Sequence, residues 1–335
     1  MPNYFYMNDF PLTVANGGKE EQLRQVTTFI EPIFHDRIYS IHDTLAPKIK
    51  TGDVLHFFGD TPLFYYFIQF LRGNGIEPRT LISPSFYRKE SRFYKLLRFI
   101  PARIPNWFSE REKLYTIIDQ IIVNSEFEKK YLLRIFKINA NKVNVIYNSF
   151  ESTASSSELR TAHKNKFCLC VSHLSERKNI FELLNAAEKF YLNTGVKLVL
   201  AGGLRFHSDK NLDKFRTRLN EIKGIEYVGL QNKSQLHLLY RTCQFHILPS
   251  FIETPGISNL EAASFKKPIV VGDFPVLHEY FGSNAIYTKF GQSSIYSAMR
   301  KAMEVAEVGE VNHNLTRFSQ SVIKAKYINL IASLT

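Results

Sequence analysis

Two carboxylates eight positions apart, Glu253 and Glu261, bracket a turn that contains Pro255 and Gly256. An apolar run ends at Leu248 just before them. A helical pattern follows from about Ser258 through Phe265, so the segment reads as strand, turn and helix. That arrangement carries chemistry. The first amides of a helix, here near Gly256 to Asn259, have no partner inside it and form an anion site. A carboxylate one turn further in reaches a ribose diol. The pieces that a sugar nucleotide needs then lie on one strand–turn–helix. A structural role competes for one of them. Ser258-Asn-Leu-Glu261 is also a Ser-x-x-Glu capping box, in which Glu261 caps its own helix. Spacing alone leaves both roles open.

Other patterns exclude whole classes of chemistry. No Asp-x-Asp, His-x-x-x-His or Cys-x-x-Cys pattern occurs, so no metal is expected. The three cysteines are too few for a disulfide scaffold, and Cys168 and Cys170 read as one face of a buried strand. With 43 basic against 31 acidic residues, the net charge is +12, which points to polyanionic partners: nucleotides, nucleic acid or anionic lipid. The excess is shared between the two halves of the chain. One run stands out. From Arg88 to Arg103 six basic residues and one acid alternate with Phe93, Tyr94, Leu96, Leu97, Phe99 and Ile100, followed by Ile104-Pro-Asn-Trp-Phe108. This mixture suits docking on an anionic membrane surface through residues 88–108, or equally a solvated helix face or a basic acceptor groove. The most apolar stretch, Leu63 to Leu71, is far short of the roughly twenty residues that span a bilayer. Met1 to Asp9 shows no basic start and apolar run, so no secretory signal is expected and a cytoplasmic location is read.

The elements that position these residues alternate in type. The segments 53–58, 79–83, 120–124 and 142–147 read as strands, with a helical pattern from Glu126 to Phe136 among them. Ser149 to Ser157 is polar and small, the best linker candidate. Beyond it, 167–171, 196–201, 226–229, 245–248 and 268–271 read as strands, and Asn179 to Tyr191 as a helix. Strands alternating with helices predict parallel sheets covered on both faces. At 335 residues, two such domains fit. The expected organisation is an N-terminal Rossmann-like domain over 1–150, a linker over 151–165 and a C-terminal Rossmann-like domain over 166–313. Ligands of doubly wound sheets sit beyond the carboxyl ends of the strands.

The Glu253–Glu261 segment resembles the E-x7-E signature of the retaining glycosyltransferases of family 4, which have the GT-B fold. The resemblance extends over nearly the whole chain. Val171-Ser-His-Leu-Ser-Glu-Arg-Lys-Asn179 resembles the family's phosphate-contacting loop, and Leu198 to Gly203 its following strand. Glu226 to Gly229 with Leu236 to Tyr240 resembles the loop that holds the base. Asp119 to Glu126 and Val143 to Ser149 resemble the end of the N-terminal domain, and Asn16-Gly-Gly-Lys-Glu20 its early glycine loop. Family members also send a C-terminal helix, here about 314–335, back to the N-terminal domain.

What the resemblance implies is specific. Glu261 should hold the ribose hydroxyls and Glu253 should sit near the donor sugar and its phosphate. Lys178 should neutralise the diphosphate as a compact point charge. The amides of Gly256, Ile257 and Ser258 should touch the donor, with Gly229 near the base and Gly17 and Gly18 letting backbone approach from the other domain. Two departures accompany this. His173 stands where the family has an arginine, so Arg177 is a candidate to compensate. The N-terminal-domain histidine is missing from Ser83-Pro-Ser-Phe-Tyr87, so His56 is the candidate catalytic substitute, with a buried structural role as its alternative. The implied activity is metal-independent transfer, with retention, of a sugar from a UDP- or GDP-sugar to a glycan or lipid-linked acceptor in envelope or polysaccharide biosynthesis. A nucleotide-sugar epimerase of the same fold and a non-catalytic binding protein are the rivals. No recognised nucleic-acid motif is present, so nucleic acid is not an expected partner.

Overall fold

A computed structural model describes residues 1–8, 18–43, 45–84, 106–150, 166–253 and 256–334. The expected linker 151–165, Gly17 and the basic run from Arg88 to Arg103 lie outside the described residues. The chain divides into two compact units, Met1–Asn148 with Ser321–Thr335, and Ser149–Gln320.

In the first unit, strands β1 (Tyr4–Asn8), β2 (Ile38–Ser40), β3 (Val54–Phe58), β4 (Arg79–Ser83), β5 (Gln120–Val123) and β6 (Val143–Val145) form a parallel sheet in the order β2-β1-β3-β4-β5-β6. A parallel sheet buries both faces, which is why β3 reads Val-Leu-His-Phe-Phe with every residue buried. Successive side chains alternate between faces. Leu55 and Phe57 enter a core with helices α2 (Leu63–Gly73), α3 (Trp107–Ile117) and α4 (Glu126–Ile135). Val54 and Phe58 enter the opposite core, with Leu23, Val26 and Ile30 of α1 (Gly18–Phe34). That second core also takes Ile323, Tyr327 and Ile331 from the chain's last helix. The Gln22 amide ties this helix in, donating to Asn124 Oδ1 at 3.0 Å and to Tyr327 Oη at 3.5 Å.

The second unit repeats the plan. Strands β7 (Phe167–Val171), β8 (Lys197–Ala201), β9 (Ile225–Gly229), β10 (His246–Leu248), β11 (Ile269–Gly272) and β12 (Ile286–Thr288) run parallel in the order β12-β11-β10-β7-β8-β9. The helices are α5 (Ile180–Thr194), α6 (Asp209–Glu221), α7 (Lys233–Thr242), α8 (Ile257–Ser264), α9 (Pro275–Phe281) and α10 (Gln292–Val308). The last helix, α11 (Gln320–Ala332), returns to the first unit. Helix α5 buries Ile180, Leu183, Leu184, Ala187 and Phe190, a stripe at helical spacing, against Cys168 and Cys170 of β7 and Leu198 and Leu200 of β8. All three cysteines are buried thiols. No helix among the described residues is long and apolar enough to cross a membrane.

Candidate functional site

Strand order decides which loops meet. Strand β7 pairs with β10 on one side and β8 on the other, so the loops leaving their carboxyl ends are neighbours. The loop after β7 turns through a short 3-10 segment, Glu176–Lys178, and enters α5 at Asn179 with φ +58. Asparagine tolerates that left-handed conformation, and its side chain is fixed by donating to the Phe290 carbonyl at 2.8 Å. The loop after β10 locks onto this turn, with the Phe251 amide donating to the Arg177 carbonyl at 2.9 Å.

The register brings Lys178 and Glu253 together as a buried ion pair between the ammonium and Glu253 Oε2. The Ser250 hydroxyl donates to the same oxygen at 3.0 Å. Burial by itself would raise the Glu253 carboxyl. The charge and hydrogen bond of Lys178, the Arg177 guanidinium and the Ser250 hydroxyl outweigh it and hold the group below its ordinary value. Glu253 is therefore ionised at neutral pH. Among the described residues Glu253 is the hydrogen-bond partner of the ammonium, which leaves other donors of that group for phosphate oxygens. Arg177 itself is exposed.

Beneath the pair the packing is tight and neutral. His246 on β10 is fully buried, and its Nε2 accepts from the Val171 amide at 3.3 Å. Burial lowers its pKa to about 3, against the opposing effect of the Asn259 side chain and helped by Lys178, so the ring stays uncharged. Burial pushes the Cys170 thiol up to about 12, which makes it inert.

Helix α8 begins at Ile257 with Gly256 as its N-cap and no side-chain cap. Ser258 is thus the second helical residue, and the Ser258–Glu261 capping box expected as an alternative does not form. Glu261 Oε2 instead accepts from the Tyr240 hydroxyl of α7 at 2.8 Å. Burial, then the charge and hydrogen bond of Glu261, raises the Tyr240 phenol well above its ordinary value, so it remains a donor. Tyr240 in turn stacks on Phe265, with centroids 5.8 Å apart. Gly256 has φ +77, and a Cβ there would sit 3.0 Å from Asn259 Nδ2 and 3.1 Å from Glu253 Cγ. The helix start and Glu253 are therefore in contact, and only glycine lets the backbone come so close.

The remaining candidates divide between the units. His173 follows β7, and a Cβ at Gly203 would meet its Nδ1 at 3.3 Å and Leu230 Cδ2 at 3.4 Å. Gly229 ends β9 with φ +70, and its carbonyl accepts from the Gly202 amide at 2.8 Å. These positions lie along the carboxyl-end edge of the second sheet. Gly18 opens α1 in the first unit and is exposed. His56 is inside the first sheet, with no exposed surface. Its Nδ1 meets Tyr4 Oη at 2.5 Å, its Nε2 meets Ser83 Oγ at 2.8 Å, and it stacks on Phe58 at 4.1 Å. Burial lowers its pKa to about 3. A ring bonded through both nitrogens and closed to solvent holds the sheet together, so the structural alternative describes His56.

Sequence reasoning does not single out the side chains of Ser250, Tyr240, Asn259 and His246, although Asn259 falls in the expected helix-start anion site and Tyr240 in the segment expected to hold the base. Ser250 lies three residues before Glu253, a spacing that is compatible with a hydroxyl on that carboxylate. The other contacts are long-range and carry no local signal. Among the described residues, no group of three or more His, Cys, Asp or Glu side chains is placed to hold a metal ion.

A chain carrying two Rossmann-like parallel-sheet units of this kind has the GT-B fold of glycosyltransferases. It belongs to the family of glycosyl transferases group 1, whose model matches residues 151–320. Among curated proteins the chain is similar to the O-antigen chain mannosyltransferase RfbU of Salmonella typhimurium, 22% identical over 326 residues, covering 96% of this chain and 81% of that one. Among solved structures it is similar to HepE of Anabaena, crystallised with UDP-glucose, at TM-score 0.65 and 16% identity over 98% of this chain and 99% of that one. It is also similar to sucrose-phosphate synthase of Thermosynechococcus elongatus, at TM-score 0.72 and 14% identity over 99% of each chain.

Proposed function

We propose that this glycosyltransferase moves a sugar from a UDP- or GDP-sugar to a glycan or lipid-linked acceptor of the cell envelope, with retention and without a metal. The carrying observation is the buried Lys178–Glu253 pair in contact with the start of α8, the helix that bears Glu261. In this reading Glu261 accepts the ribose hydroxyls while Tyr240 fixes its orientation. The α8 amides from Gly256 to Ser258 and the Lys178 ammonium take the diphosphate. As the anomeric C–O bond breaks, its electron pair leaves with the diphosphate, and preorganised positive groups stabilise that growing charge. Glu253 holds the ammonium in place and lies beside the donor sugar. His173 and the exposed Arg177 border the same edge as secondary phosphate contacts, and Gly229 lies near the base.

The envelope acceptor is supported by the similarity to an O-antigen chain mannosyltransferase, and the nucleotide-sugar donor by a structural relative crystallised with UDP-glucose. A cytoplasmic enzyme resting on an anionic membrane surface fits the basic, aromatic run of residues 88–108. It also fits the exposed Leu63, Tyr66 and Phe70, which lie at helical spacing on α2. The test is turnover of UDP- and GDP-sugars with and without lipid-linked glycans, with the product anomer read by NMR. Nucleoside diphosphate release that requires the acceptor, with a retained anomer, is the expected result. Conversion of the donor sugar without any acceptor would assign the epimerase reading instead.

A further inference from the structure

Three loops at the carboxyl end of the second sheet each give one phenylalanine to a single cluster. Phe251 follows β10, Phe274 follows β11 and Phe290 follows β12. The Phe290 ring lies 5.1 Å from Phe251 and 5.5 Å from Phe274, centroid to centroid. Phe274 and Phe290 are half-buried, whereas Phe251 is 42% exposed. An isolated exposed apolar residue is ordinary. This one is fixed in place beside the donor turn. The Phe251 amide donates to the Arg177 carbonyl at 2.9 Å, and the Asn179 side chain donates to the Phe290 carbonyl at 2.8 Å. Both bonds run to the turn that carries Lys178.

Strand order sets what this cluster adjoins. Along the sheet the order is β9, β8, β7, β10, β11, β12. In the function proposed above, β9 lies near the base, the loop after β7 takes the diphosphate and the loop after β10 meets the donor sugar. Strand β11 is one step further, about 4.8 Å, comparable to the width of a pyranose ring. The loops after β10 and β11 touch at their roots. Leu248 pairs with Val271, and a Cβ on Gly272 would sit 2.6 Å from the Ser250 carbonyl oxygen. Phe251 and Asp273 therefore leave the sheet side by side.

The surroundings of the cluster are polar. Asp273 is exposed; its Oδ1 accepts from His278 Nε2 at 2.8 Å, and its Oδ2 takes no hydrogen bond among the described residues. Arg177 and Lys289, the neighbour of Phe290, are also exposed. A lipid chain calls for a contiguous apolar patch of a few hundred Å². A single open ring inside a charged rim is not one. It matches a pyranose, which has an apolar C–H face and an edge of hydroxyls that donate to carboxylates.

We propose that Phe251 and Asp273 form the subsite for the acceptor's terminal sugar ring, its C–H face on Phe251 and a hydroxyl donating to Asp273 Oδ2. The ring's role as acceptor rests on the donor reading above. Its binding rests on these residues alone.

The test is saturation-transfer NMR with the protein's aromatic protons irradiated. The probes are the methyl α- and β-glycosides of glucose, mannose, galactose and N-acetylglucosamine, each with and without UDP or GDP. At least one glycoside should receive saturation on the protons of one ring face. Its affinity should fall about tenfold in Phe251→Ala, which removes the apolar contact, and about tenfold in Asp273→Asn, which removes the charged acceptor. Phe251→Trp should keep it. Both positions are exposed, so each variant should melt at the wild-type temperature. Transfer to no glycoside overturns the proposal. So does transfer that Phe251→Ala and Asp273→Asn leave unchanged. Weaker binding of the nucleotide sugar in Phe251→Ala, with free glycosides unaffected, would put Phe251 in the donor subsite and overturn it as well. Failure of UDP and GDP to stabilise the wild type counts against the donor reading alone, because glycoside binding is also read without them.

Discussion

Lys178 and Glu253 answer to two demands that mutations can separate. Each is buried and each neutralises the other, so removing one strands a charge in the interior. Lys178→Ala should cost about 3–5 kcal/mol of stability, because Glu253 is left unpaired. Lys178→Met combined with Glu253→Gln removes both charges at similar volume and should recover most of that stability. Turnover should stay lost in both variants, measured by nucleoside diphosphate release alongside urea unfolding. A double variant that is stable and active would leave the pair a purely structural role. The residue types around this pair are legible in the sequence: two glutamates at their spacing, a lysine in a turn, a glycine preceding a helix. Their partners are not. Whether Glu261 caps its own helix or serves a ligand is undecidable from Ser258-Asn-Leu-Glu261. What rules out the cap is the helix start at Ile257, and the partner the carboxylate takes instead is Tyr240, twenty-one positions away on another helix. His56 shows the same limit. Its position late in an apolar strand is compatible with facing a ligand, and only the surrounding Tyr4, Ser83 and Phe58 make it a core residue.

At the scale of elements, the loops beyond β8 and β9 carry their shape in two glycines with different constraints. Gly202 has φ +132, and a Cβ there would overlap the Ser172 carbonyl oxygen, part of the loop that leads to Lys178. Gly229 has φ +70 with open space around it. Gly202→Ala should therefore cost about 3 kcal/mol. Gly229→Ala should cost only about 1 kcal/mol, the left-handed backbone penalty alone. Thermal unfolding of the two variants checks this, and equal losses would contradict it. The long buried strands are readable because parallel sheets demand continuous apolar runs, as in Val54–Phe58 and Phe167–Val171. Strands β2 and β12 have three residues each, too few for any period to register. Strand β1 has as many residues as β3 and β7, but Tyr6 and Met7 within it are only half-buried and it ends in Asn8, so it lacks their continuous buried run.

At the scale of the molecule, two consequences follow from how the units are built. The first concerns α11, which places Ile323, Tyr327 and Ile331 in the core of the first unit although it follows the second in sequence. Truncation before residue 320 should cost the first unit on the order of 5 kcal/mol of apolar burial. Hydrogen exchange should then show protection lost in β1, β3 and α1 and kept in β7 and β8. Unchanged protection in the first unit would contradict this packing. The second concerns pH. His56 in one unit and His246 in the other are buried and neutral, with pKa values lowered from 6.5 to about 3. In the unfolded chain both take up a proton below pH 6.5, so acidification favours unfolding. Stability from this source is complete above pH 6.5 and falls by about 1.4 kcal/mol per histidine per pH unit on the way down to about 3. At pH 5 each unit should be roughly 2 kcal/mol weaker than at pH 8, and denaturant unfolding that is equal at the two pH values would refute it.

The central claim is that Glu261 and the start of α8 hold a nucleotide. Glu261→Gln tests it without unfolding the site, because the amide oxygen can still accept from Tyr240 while the charge is gone. The measurement is thermal stabilisation of the wild type and this variant by UDP and by GDP. At about 100 times its dissociation constant, the preferred nucleotide should add roughly 2.7 kcal/mol to the wild type. The variant should keep the unliganded melting temperature and bind about tenfold more weakly, as loss of a charged hydrogen bond predicts. Stabilisation by neither nucleotide, or equal stabilisation of both proteins, would contradict the account.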